Sequence, residues 1–118
     1  MLLRSDGERA VWWGTVVECL SALHRRRREG RLSVTLVEQG TLRLVGLVED
    51  SDVVDPTSLL RDRAGRLVAA HPLRAAGAFQ LAAALTWCDN TPSGESFVCL
   101  DDRLREAAQR EGFAVLPD

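Results

Sequence analysis

Apolar positions along this chain fall into long runs with helical spacing, separated by short clusters that read as strands. Val16, Val17, Leu20 and Leu23 recur at helical intervals behind Thr15, and the segment ends in His24 and four arginines with Gly30 as a stop signal. From Ser33 to Val48, the positions Val34, Val37, Thr41, Leu44, Val45 and Val48 share a helical face. The β-branched content and the alternation around Leu42 and Leu44 also fit a strand; the longer period favours helix, with Gly40 and Gly46 counting against it. Asp55 to Ser58 supplies cap residues for a helix whose face is Leu59, Leu60, Ala64, Leu67 and Val68, closed by His71-Pro72. An Ala-rich helix is expected from Ala75 to Trp87, and a charged one from Arg103 to Arg110. The strands are expected at Val11–Gly14, Val53–Val54, Phe97–Leu100 and Phe113–Leu116. Thr91 to Gly94 reads as a loop, and Met1 to Gly7 as the tail of a helix running into a turn.

Helices alternating with short apolar strands predict an α/β domain, residues 1–118, on a parallel sheet covered on both faces. The 118 residues, 46% hydrophobic and 27% charged, suit one globular core. No apolar run approaches the roughly 18 residues of a membrane span, and the N-terminus lacks a signal-peptide layout, so the expected location is the cytoplasm. Cys19, Cys88 and Cys99 are odd in number, form no C-x-x-C and read as reduced and mostly buried. Neither His24 nor His71 completes a zinc pattern, and His71 before Pro72 reads as structural. Every cation is an arginine, which excludes lysine-dependent mechanisms and argues against a receiver-type signalling domain. No P-loop or G-x-G-x-x-G occurs.

Candidate chemistry concentrates where strands are expected to exit. Asp101-Asp102 follows Phe97-Val-Cys-Leu100 directly, and ligands of open α/β sheets sit at such exits. Asp101 also suits the N-cap of the following helix, and Asp102 its first turn. Glu18 stands three residues after Thr15, the spacing of a capping box, so its carboxylate is claimed both by the helix start and by any site there. Arg25, Arg26, Arg27, Arg28 and Arg31 form either an RNA-phosphate patch or a solvated helix end matched to the dipole. Trp12, Trp13 and Trp87 are expected in the core or a subunit interface, and the acids from Glu49 to Asp55 in a solvated turn.

Three stretches together resemble a PIN domain of the VapC toxin type: Thr15 to Leu23 with its arginine-rich end, His71 to Leu85, and Phe97 to Ala108 followed by Glu111 to Leu116. The resemblance implies a three-layer α/β/α fold on a short parallel sheet, and a Mg²⁺- or Mn²⁺-dependent endoribonuclease belonging to a toxin–antitoxin pair. It implies carboxylates clustered at the C-terminal edge of the sheet, with Glu18 and Asp101 in catalytic, metal-holding positions and Asp102 assisting at the metal. RNA as substrate, a cognate antitoxin and a homodimer are the implied partners, with no membrane. Two features depart from the family. Its first aspartate lies on an opening strand that would precede Met1, and Gly77 stands where the Ala-rich helix usually carries an aspartate. A divalent ion of this kind needs several oxygen ligands, so the departures imply impaired turnover or, alternatively, a non-catalytic PIN-like binding or dimerisation module. A chain starting at Met1 is further expected to lack the central strand, leaving the gap to a partner subunit or the fold marginally stable.

Overall fold

The computed structural model describes residues 1–4 and 6–118. The elements in chain order are β1 (Leu2–Leu3), β2 (Arg9–Trp12), α1 (Thr15–Arg28), α2 (Val34–Glu49), β3 (Asp52–Val54), α3 (Ser58–Ala70), α4 (Ala75–Trp87), β4 (Ser96–Val98), α5 (Asp102–Glu111) and β5 (Ala114–Leu116). All five expected helices form, including the ambiguous second one, where Ser33 Oγ accepts from Leu36 N at 3.1 Å. Thr57 and Asp101 cap α3 and α5 in the same way, and Gly112 at φ 110° ends α5 in a left-handed conformation that glycine adopts without steric cost.

The sheet differs from expectation. Its order is β3-β2-β1-β4-β5, and it is mixed rather than parallel. The opening residues are a strand, not the tail of a helix, although Ser5 within that reading lies outside the described residues. β1 pairs antiparallel with both β2 and β4, while β2–β3 and β4–β5 are parallel pairs. Strands β2 to β5 therefore share one direction, and Leu2–Leu3 runs against them in the centre. The central position is filled from within the chain, and no partner strand is needed. Leu2 lies between Ala10 and Phe97, which in turn faces Val115, and all four side chains are buried. The strand is clamped beyond its two residues. Met1 O accepts from Val98 N at 2.8 Å, and Arg4 lies over the Trp87 ring at 4.1 Å while its Nε reaches Glu95 Oε1 at 3.1 Å.

The main core lies between the sheet and α4. Six residues of α4 are buried, Ala78, Leu81, Ala82, Ala83, Ala84 and Leu85, so the helix is apolar most of the way round, as a helix enclosed by neighbours must be. It packs against α3, α5, β2 and β3. Ala10 and Val11 are both buried although successive strand residues face opposite ways, so β2 is covered on both faces. Helix α1 pairs chiefly with α2 and buries no residue of its own. Its expected apolar face is partly in solvent, with Val17 70% exposed. Leu59 and Val68 of α3 are exposed as well, leaving Leu60, Ala64 and Leu67 as the buried stripe.

Candidate functional site at the sheet edge

Because β2 and β4 run in one direction, their C-terminal ends lie on one edge of the sheet, and α1 and α5 both start there. Glu18 in the first turn of α1 and Asp101 at the N-cap of α5 therefore share that edge, as expected of strand exits. Strand β4 ends at Val98, so Cys99 and Leu100 intervene before Asp101, which does not follow the strand directly. Arg105 holds this connection, its guanidinium donating to Cys99 O at 2.9 Å and Pro117 O at 2.6 Å. A cleft of about 570 Å³ opens at this edge, lined by Arg74, Gly77, Gln80, Asp101, Asp102 and Arg103 among others.

The capping box expected at Thr15 and Glu18 does not form. Gly14 is the N-cap, and no side chain caps α1. The Glu18 carboxylate turns to α4 instead, where Oε2 accepts from Gln80 Nε2 at 2.6 Å. Burial pushes the Glu18 carboxyl above its ordinary value and outweighs the Gln80 hydrogen bond, which pulls the other way. Gln80 thus touches Glu18 and lines the same cleft as Asp101. Reading the sequence for acids missed it. The signal was there: Gln80 is the one polar side chain between Ala78 and Leu85, on a helix otherwise apolar at that level.

Asp101 Oδ1 accepts from Leu104 N at 2.9 Å, so one of its oxygens serves the helix start. Asp102 is exposed in the first turn of α5, suited to the dipole. Gly77 does line the cleft, and a Cβ there would meet Leu104 and Leu73 only at 3.7 and 3.8 Å, ordinary contact distances. Among the described residues, no group of three or more His, Cys, Asp or Glu side chains converges as a metal site. A divalent ion would find one carboxylate engaged by an amide donor and another tied to a helix cap. With one oxygen of each already hydrogen-bonded, Glu18 and Asp101 fit a Mg²⁺ or Mn²⁺ centre poorly, and most of an ion's ligands would have to be water or phosphate.

Arg25, Arg26, Arg27 and Arg28 are all exposed, and none is ion-paired among the described residues; Arg31 pairs with Glu29 at 3.4 Å. The ten helical steps from Glu18 to Arg28 place this end about 15 Å from the acid along the axis. Trp12 stacks on Phe79 with centroids 5.4 Å apart, whereas Trp13 is 59% exposed and not part of the core. The three cysteines are free, but only Cys88 is buried, and burial pushes all three thiols up, away from the thiolate a nucleophile needs. His71 is structural as expected, buried with Nε2 2.6 Å from Glu111 Oε2. No helix among the described residues is long and apolar enough to cross a membrane.

Compared with known proteins, the chain has no significant match to any family model, curated protein or solved structure.

Proposed function

We propose that this chain is a PIN-like module that works by binding, with the metal-dependent nuclease turnover of the family it resembles lost or strongly impaired. The three-layer PIN-like arrangement belongs to this proposal, as does RNA as the ligand met by the arginine end of α1. A cognate antitoxin and a second copy of the chain are its further proposed partners. The observation that carries the reading is the Glu18–Gln80 bond: the half-buried acid best placed to serve a metal already has one oxygen engaged by a neutral amide. The space at Gly77, unfilled by any carboxylate, supports it. Polarising a phosphodiester and activating water both require the ion to be firmly held, and one capping aspartate with one clasped glutamate would hold it weakly.

A ribonuclease reading stands second, favoured by the shared edge of Glu18 and Asp101. Calorimetric titration with Mn²⁺ and cleavage of a short fluorogenic RNA, with the parent and Asp101→Asn, separate the two. The binding-module reading expects no micromolar Mn²⁺ binding and equal, background cleavage by both proteins. Micromolar binding together with metal-dependent cleavage that Asp101→Asn abolishes would establish the nuclease instead.

A further inference from the structure

We infer that the Gln80 carboxamide occupies, at Glu18, the place a cation would take, and is the residue that makes this cleft a metal-free one. The inference deepens the reading of this chain as a module that binds without metal-dependent turnover, and rests on it. A half-buried carboxylate needs compensation for lost water. Among the described residues Glu18 has no ion pair within 4.0 Å, the Met1 ammonium acts on it only from farther off, and its side-chain hydrogen-bond partner is Gln80 Nε2 at 2.6 Å. That N–H group carries partial positive charge and points at the oxygen, so it supplies in neutral form what an ion would supply as full charge.

Gln80 is held to this task by its helix. Its neighbours Leu81, Ala82 and Ala83 are buried to 2% exposure or less, so α4 keeps the Gln80 backbone fixed within reach of Glu18. The same side chain lines the cleft beside Gly77 and Asp101. Gln80 is therefore a positioning residue: it touches no reacting atom, and it fixes what Glu18 can bind.

The test exchanges the amide for a carboxylate of the same shape. In Gln80→Glu two acids face each other at hydrogen-bond distance, an arrangement that calls for a shared proton or a cation. Mn²⁺ affinity, measured by calorimetry at neutral pH and checked as Mn²⁺-dependent thermal stabilisation, is expected to rise at least roughly tenfold over the parent. The gain is expected to vanish in Glu18→Gln/Gln80→Glu, which restores a neutral partner with the roles reversed. Gln80→Ala, which frees Glu18 without adding a ligand, is expected to give a smaller gain, about threefold, and decides the matter where Gln80→Glu does not fold. Unchanged Mn²⁺ affinity in the folded variants overturns the inference, as does a gain that survives loss of Glu18. Tight Mn²⁺ binding with RNA cleavage by the parent would sink the binding-module reading and the inference resting on it, whereas unchanged affinity in the variants of a parent that does not bind sinks the inference alone.

Discussion

At the residue scale, charged side chains in this molecule are governed by partners that sequence spacing does not reveal. The Thr15–Glu18 spacing fits a capping box, yet Gly14 takes the cap and Glu18 binds across 62 positions to Gln80. Glu111 behaves similarly. Its carboxylate closes α5 beside the end of α3, with His71 Nε2 at 2.6 Å from one oxygen and Arg66 Nη2 at 3.1 Å from the other. The ionised acid carries no proton, so the imidazole nitrogen donates. Burial works against the charged carboxylate, but the His71 and Arg66 hydrogen bonds outweigh it and hold Glu111 below its ordinary value. The folded state then binds fewer protons here than the unfolded chain, so the contribution is fully present above the ordinary carboxylate value of 4.5 and is lost as pH falls through the lowered one. Arg66 is half in solvent and adds little, which leaves the buried His71 bond as the larger part. Glu111→Gln is expected to cost about 1–2 kcal/mol at pH 7 in urea unfolding, with the gap to the parent narrowing as the pH is lowered through the acidic range. The histidine was legible as structural from His71-Pro72; its partner, 40 residues away, was not.

At the element scale, helices were legible and the decisive strand was not. Thirteen to sixteen residues of periodic apolar spacing identify α2, α3 and α4, and Thr57 and Ser33 mark two starts by chemistry that works locally. Two residues cannot show a period, and Leu2–Leu3 acquires strand conformation only because β2 and β4 offer it edges on both sides. Its stability is thus tertiary. Leu2, 1% exposed and flanked by Ala10 and Phe97, carries the side chain that joins the two halves of the sheet. Leu2→Ala is expected to lower unfolding stability by about 3–5 kcal/mol, the upper part of the range, as for a leucine whose cavity cannot collapse between paired strands. Leu3→Ala, less buried and on the same strand, serves as the comparison and is expected to cost less. Equal, small losses would mean that β1 is not integral to the sheet.

At the scale of the whole molecule, strand direction decides where function can lie, and direction was only partly legible. The expected common edge for Glu18 and Asp101 survives because the reversed strand is the central one and the four others stay parallel. The long-range field offers little attraction for nucleic acid, since the net formal charge is −2. An RNA contact must therefore come from local geometry, and the arginine end of α1 sets its limits. Successive residues on an α-helix turn by about 100°, so Arg25 to Arg28 point around the full circumference, and roughly two can meet one strand of phosphates. Arg31 lies past the helix and is partly committed to Glu29. Each phosphate neutralised on single-stranded nucleic acid contributes about 0.7 to the slope of log affinity against log salt. Replacing all four helix arginines by alanine is expected to reduce that slope for single-stranded RNA by about 1.4, not by the nearly 3 that four independent contacts would give. Fluorescence-anisotropy titrations over a range of salt measure it directly. An unchanged slope would remove this end of α1 from any RNA interface, and a loss near 3 would require the RNA to wrap around the helix tip rather than pass along one side of it.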